Sequence, residues 1–395
     1  SRVEGLSEKG EANPFDHTAD GLVIGEGTGV VVLKKLEDAL ADGDRVRAVI
    51  RGVGSSSDGA GQAIYAPSAD GRALALRNAL EVAETKSDDV QFLEAHATAT
   101  VVGDANEYDA ISMVYGERSN PTPLYLGSVK GQIGHLKAAA GMAGLIKTVL
   151  CMENATIPHM PRFTKLTAGA TLPSDNLAVP TDLQTWEPAP EGLRIAAVTT
   201  SGFGGVNYHA ILEQGDRYTP PASRPEVPRD VAIVGVSARV AGADSVEKFW
   251  ENISAGRDTF TRVDGEELGW QHHLDGPENE RITTRVVSKL DEYKINLLKH
   301  KIFPTATSQI SPTQLLGLDL ADQLLERHGM EYKAPKRIGV SVGSMHDDYF
   351  PNIFPPMLLD EYADTLRSTE AGGRIDRAAL DAAIAVATPR WADEH

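Results

Sequence analysis

Cysteine is nearly absent. Cys151 is the single one in 395 residues, so no disulfide framework can form, and the reducing cytoplasm is the compartment this composition fits. No C-x-x-C pair and no H-E-x-x-H occurs, and the doublet His272-His273 has no further ligands at metal-site spacing, so no metal is expected. Positive charge is in deficit, with 38 Lys and Arg against 56 Asp and Glu and a net charge of −18. That argues against a nucleic-acid partner, which needs a basic face or stripe. Ser1 to Gly10 carries no signal-peptide pattern. The most apolar run, Ala138 to Met152, is interrupted by Lys147 and is too short to span a bilayer. Phosphate loops are missing too. Gly25 to Gly29 precedes a β-branched run with no G-K-[ST], and no G-x-G-x-x-G follows the apolar run at Val231 to Val236.

What remains is an ordinary globular composition, 41% hydrophobic and 24% charged, at a length that fits two or three domains. The pattern alternates between strand and helix. Val30 to Leu33 and Arg45 to Val53 predict strands, Leu36 to Leu40 a short helix, and Ser55 to Gly59 a loop. Gly71 to Glu84 has helical periodicity. Val90 to His96 and Pro123 to Leu126 are short strands, each running into a loop before a helix. Tyr218 to Pro228 is rich in proline and reads as a linker. The chain therefore divides into residues 1–215, a linker at 216–230, and residues 231–395. Val231 to Arg239 restarts with a strand, and Ser245 caps a helix through Ile253. Gly372 to Ala387 is Ala-rich and helical in pattern, with no function assigned.

Two strand ends carry the chemistry, one at His96 and the other at Lys130 to His135. Ligands of α/β folds bind at the carboxyl ends of strands. Burial and a helix amino terminus both disfavour the imidazolium, so neutral imidazole is the expected species. A neutral ring donates one N–H to an oxygen that is gaining negative charge, and each such donor is worth roughly 2.7–4 kcal/mol in a transition state. Two histidines aimed at one point would form an oxyanion site for thioester or enolate chemistry. Lys130 could hydrogen-bond a histidine or hold a carboxylate. Asp104 and Glu107 stand three apart, as in a capping box, with Asp104 the candidate N-cap; helix capping is favoured over proton transfer. Cys151 sits inside an apolar helical run and is a poor nucleophile.

Three segments then carry a resemblance: Glu94-Ala95-His96-Ala97-Thr98-Ala99-Thr100 with Gly103-Asp104, Ser128-Val129-Lys130-Gly131-Gln132-Ile133-Gly134-His135, and Ser201-Gly202-Phe203-Gly204-Gly205-Val206-Asn207. In sequence and order they resemble the carboxyl-half signatures of the β-ketoacyl-acyl-carrier-protein synthases, over about residues 11 to 214. The resemblance implies an α/β thiolase-like fold of layered α/β/α/β/α type, in two partial domains, and decarboxylative Claisen condensation. It implies that His96 and His135 stabilise the oxyanion and enolate, with Lys130 behind them. Thr98 and Thr100 would touch the phosphopantetheine arm of the acyl carrier protein, Phe203 would gate the acyl pocket, and Asp104 and Glu107 would be structural neighbours of the site. No cofactor is bound directly. The partners implied are the acyl carrier protein, malonyl and acyl thioesters, and a homodimer or a ketosynthase/chain-length-factor pairing. The nucleophilic cysteine is expected before Ser1. Residues 1–215 thus resemble the carboxyl half of one ketosynthase, and residues 231–395 the amino half of a second or of a chain-length-factor-like domain that ends before its own nucleophile.

Five positions depart from the common pattern: Ala97 for glycine, Gly131-Gln132 for Ser-Asn, Ser201 for phenylalanine and Val206 for threonine. Gln132 keeps an amide, as in multidomain polyunsaturated-fatty-acid and polyketide synthases. Ser201 removes an aromatic ring, which bears on chain-length control more than on chemistry. Three readings follow. One is a condensing segment of a fatty-acid or polyketide synthase. The second is a non-catalytic dimerisation scaffold that shapes an acyl tunnel. The third is a circularly permuted ketosynthase whose two halves pair within one chain, the least favoured because Cys151 is not at the join.

Overall fold

The computed structural model describes residues 5–58, 67–188, 192–202, 205–215, 231–263, 286–297, 299, 300, 302, 312–327 and 338–344. The chain forms two compact units, residues 1–294 with 317–345 and residues 295–316 with 346–395. The strands and helices below belong to the first, apart from the opening turn of the helix at Pro312.

A short strand β1 (Ile24–Gly25) leads into β2 (Gly27–Lys35), whose Val30, Val31 and Val32 are all buried. Such a continuous apolar run suits a strand covered on both faces. Helix α1 (Leu36–Ala41) and strand β3 (Ala48–Ser57) follow. Helix α2 (Ala69–Ala83) starts at Ser68, whose hydroxyl accepts the Gly71 N–H, and stops at Glu84 in the left-handed conformation. Next come β4 (Phe92–Glu94), α3 (Val101–Tyr115), β5 (Leu124–Gly127), the single turn α4 (Lys130–Ile133) and α5 (Ala140–Glu153). Short strands β6 (Thr156–Ile157), β7 (Leu177–Ala178) and β8 (Gln184–Thr185) precede the hairpin strands β9 (Ile195–Gly202) and β10 (Val206–Gln214). After the Pro-rich segment come β11 (Val231–Val240), α6 (Val246–Ser254), β12 (Thr261–Arg262), β13 (Val286–Ser288), a helix Pro312–Arg327 and β14 (Ile338–Ser344). Among the described residues no helix is long and apolar enough to cross a membrane.

Nine of these strands make one sheet in the order β14-β2-β11-β3-β10-β9-β4-β5-β7. The half around β2, β11, β3 and β10 is antiparallel, whereas β9, β4, β5 and β7 run parallel. One apolar core, with Val149, Trp186 and Phe249, lies with α5 and α6; another, with Leu76, Ile111 and Tyr115, lies with α2 and α3.

The structure differs from the sequence reading in three places. Ser55 to Ser57 do not form a loop but continue β3, pairing with Tyr208, Asn207 and Val206, and Ser56 Oγ donates to the Gly71 carbonyl at 2.6 Å. Asp104 is not an N-cap: α3 begins at Val101, with Thr100 at its cap position and no side-chain capping bond. Its carboxylate is committed elsewhere, as described below. Finally, β11 and β14, which follow the Pro-rich segment, flank β2 on either side and share its sheet. The Ala-rich run at Gly372 to Ala387 lies outside the described residues.

Candidate active site

Parallel pairing of β4 with β5 sets Glu94 opposite Gly127, so both strands end at the same edge. His96 follows two residues beyond β4, and Lys130 opens α4 three residues beyond β5. The strand register brings the two polar segments to the same edge.

The His96 loop is fixed through its backbone. The N–H groups of His96 and Ala97 donate to the two oxygens of Glu107 at 2.8 and 2.7 Å. Thr98 N–H donates to Asp104 Oδ1 at 3.0 Å, and Phe15 N–H to Asp104 Oδ2 at 2.7 Å. These acids sit in the first two turns of α3, and both are buried. They are scaffolding carboxylates: a chain segment that turns away from regular structure leaves N–H groups that must be paired when buried. Burial is the larger influence on Asp104 and pushes its pKa up to about 7, against the pull of the two N–H donors. Ser128 Oγ donates to the Ala97 carbonyl at 3.0 Å and ties this loop to the Lys130 corner.

On the other side, Gly134 turns the chain with φ of 73°, a conformation open to glycine and costly for other residues. The next residue, His135, donates its backbone N–H to the Val23 carbonyl at 2.7 Å. Its ring Nδ1 accepts the Lys137 N–H at 2.9 Å. A neutral ring with Nδ1 accepting must carry its hydrogen on Nε2, which is therefore a donor. Burial first, then the charges of Lys130 and Lys137, lower the His135 pKa to about 3. Burial likewise holds His96 well below its ordinary value, with Lys130, His135 and Arg72 adding to the effect. The His96 Nδ1 is buried without a hydrogen-bond partner among the described residues. The two rings stand edge to face with centroids 5.5 Å apart. Lys130 is buried beside them; burial lowers its pKa, while Glu94, Glu107 and Asp104 oppose that shift.

The structure thus gathers His96, His135 and Lys130, with Asp104 and Glu107 beneath. Thr98 and Thr100 lie on the same loop, half-buried, their hydroxyls 3.0 Å apart in a mutual hydrogen bond. Phe203 lies outside the described residues. Cys151 is buried in α5, where desolvation pushes its thiol up to about 12. A thiol so rarely ionised at neutral pH is no nucleophile.

Sequence reasoning missed several supports. Gln132 donates its side-chain N–H to the Ile253 carbonyl at 3.0 Å, and its own carbonyl accepts from Thr259 N–H at 2.9 Å. Arg162 bonds the Gly131 carbonyl at 2.6 Å and the side chain of Asn13 at 2.9 Å, and pairs with Asp258. Glu94 and Lys147 form a buried ion pair. The one visible hint was Lys147, a charge inside an otherwise apolar helical run.

A mixed sheet flanked by helices, with two neutral imidazoles gathered at parallel strand ends, points to the condensing enzymes of thiolase-like fold. Comparison with known proteins agrees. The family model for the β-ketoacyl synthase C-terminal domain matches residues 47–164, and that for the N-terminal domain matches residues 1–39 and 228–387. The chain belongs to the β-ketoacyl synthase family. It is 42% identical over 256 residues to a phenolphthiocerol/phthiocerol polyketide synthase of Mycobacterium tuberculosis, covering 63% of this chain and 14% of that protein. Another phenolphthiocerol/phthiocerol polyketide synthase polypeptide of the same organism is 44% identical over 221 residues, covering 55% of this chain and 12% of that protein. The chain therefore spans a small part of the curated relatives it matches. Among solved structures, the ketosynthase from module 6 of the bacillaene synthase of Bacillus subtilis 168 is 26% identical, with a TM-score of 0.51 over 71% of this chain and 57% of that one.

Proposed function

We propose that this chain is a segment of a multidomain polyketide or fatty-acid synthase, and that the His96, Lys130 and His135 corner serves decarboxylative condensation of a malonyl thioester with an acyl thioester. In this reading the pair of electrons from the malonyl C–C bond moves onto the thioester carbonyl as carbon dioxide leaves. The Nε2–H of His135 and an N–H of His96 donate to that oxygen as it becomes an enolate. The enolate carbon then attacks an acyl thioester held on a cysteine that these residues do not supply. Burial first, and then the charge of Lys130, keeps both rings neutral, so each donates to an oxyanion from one nitrogen. Thr98 and Thr100 contact the phosphopantetheine arm delivered by an acyl carrier protein, and Phe203 gates the acyl pocket. Residues 1–215 contribute the carboxyl half of one ketosynthase and residues 231–395 the amino half of a second or of a chain-length-factor-like domain, joined by 216–230. Cytoplasmic location and ketosynthase-type dimerisation belong to the same proposal.

The observation that carries this reading is the pair of edge-to-face imidazoles 5.5 Å apart, with His135 fixed as an Nε2–H donor by the Lys137 N–H. A scaffold that only shapes a tunnel has no use for two such donors beside a buried lysine. The test is decarboxylation of malonyl-acyl carrier protein by the complete protein. Replacing His135 by alanine should lower kcat by about 10²–10³-fold, the effect of removing one oxyanion donor. Unchanged decarboxylation in that variant would leave the scaffold reading standing. The position of β2 between β11 and β14 favours a further reading, in which the two halves complete one another within a chain; Cys151, buried and rarely ionised, cannot be its nucleophile.

A further inference from the structure

One buried ion pair has no part in that chemistry. Glu94 closes β4 and is 1% exposed; Lys147 lies in the middle of α5 and is 3% exposed. Glu94 Oε2 accepts from Lys147 Nζ at 2.6 Å. Its other oxygen, Oε1, accepts the backbone N–H of Val129, also at 2.6 Å. A single carboxylate therefore spans both strand ends. It stands two residues before His96 and bonds the residue just before Lys130. Two glycines leave the room it needs. A Cβ on Gly127 would lie 3.0 Å from Lys147 Nζ, and a Cβ on Gly144 would lie 3.0 Å from Glu94 Cγ. The ammonium also lies 5.6 Å from the centre of the Phe92 ring.

Burying such a pair costs several kcal/mol per ion in desolvation, and a well-packed apolar pair is often at least as stable. Stability alone does not account for it. We infer that Glu94, with its charge balanced by Lys147, is a positioning residue that sets the distance between the His96 loop and the Lys130 to His135 corner. This inference rests on the oxyanion reading of that corner. An apolar side chain at position 94 would leave the Val129 N–H unpaired and the two strand ends free to shift, and a misplacement of about 1 Å costs on the order of 10²-fold in rate.

Three variants of the complete protein separate the roles of charge and acceptor. Glu94→Gln keeps an oxygen for Val129 but leaves the Lys147 charge unpaired. Glu94→Gln with Lys147→Met keeps the oxygen and removes the charge. Glu94→Leu with Lys147→Met removes both. Decarboxylation kcat should fall about 10-fold or more in the first and third, with KM nearly unchanged, and return to within about 3-fold of wild type in the second. The ¹⁵N shifts of the His135 ring give a readout that does not depend on turnover. The Nε2–H tautomer should persist in the Gln/Met double variant and give way to a mixture in the Leu/Met one. Equal kcat and equal ring shifts in the two double variants would overturn the inference. A wild-type protein without decarboxylation would overturn the oxyanion reading instead, and the ring shifts would still decide the positioning role.

Discussion

His209 is fully buried with both ring nitrogens engaged, one with the Tyr115 hydroxyl at 2.9 Å and the other with Thr199 Oγ1 at 2.8 Å. His96 keeps a buried nitrogen without such a partner among the described residues. Burial lowers the pKa of both, so titration does not distinguish them; partners do. A satisfied histidine is a core residue, and one with an unpaired nitrogen at a strand end is available to a ligand. His209→Phe should therefore leave the chemistry of the corner intact while stranding two buried hydroxyls. Each is expected to cost about 1–3 kcal/mol, measurable as a lower urea midpoint. The sequence drew attention to both site histidines through their position, His96 two residues past the short strand β4 and His135 just past the turn α4 that follows β5. It was silent on Glu94, because a carboxylate inside a strand motif says nothing of the lysine that reaches it from 53 positions away. Asp104 misled for a related reason: its spacing from Glu107 suits a cap, but the loop at 96–98 competed for the same oxygens and took them.

At the level of elements, α6 illustrates how much local pattern can specify. Ser245 accepts the Lys248 N–H at 3.3 Å, and Val246, Phe249 and Ile253 line one face at helical spacing. All three are buried in the core that β11 and α5 share. Phe249→Ala should lower unfolding stability by about 3–5 kcal/mol through lost burial and a residual cavity, read from urea titration. Helix α6 also reaches the site, because the carbonyl of Ile253 accepts from Gln132. The strand at Arg45 to Val53 was legible from its β-branched run, but its extension to Ser57 was not. Three serines resemble a loop until the partner strand, β10, supplies the ladder. The strand and helix order of residues 30–126 was likewise legible. That β11 and β14 would join β2 was not, since strand periodicity carries no information on which edge a strand seeks.

For the molecule as a whole, buried titratable groups set the response to acid. Unfolding restores His135 and His209 from about 3 toward 6.5, and Asp104 from about 7 toward 3.8. Near pH 5 the unfolded chain binds a proton on each of these histidines that the native state does not, while native Asp104 holds one that the unfolded chain has lost. The histidines prevail, and His96 adds to them with the same sign. Stability should therefore decline as pH falls below about 6.5, by about 1.4 kcal/mol per pH unit or more. Urea midpoints between pH 4.5 and 7 would check this, and a flat profile would contradict it.

The sheet has a consequence for synthesis. Both neighbours of β2 within it, β11 and β14, lie beyond the Pro-rich segment. At about 5–20 residues per second, the ribosome takes on the order of 10–40 s to make the stretch that separates β2 from β11. For that time a β-branched strand has neither of those partners, the state in which sheet edges pair with the wrong chain. A nascent copy of this protein should thus depend on chaperone cover for β2 until the second half emerges.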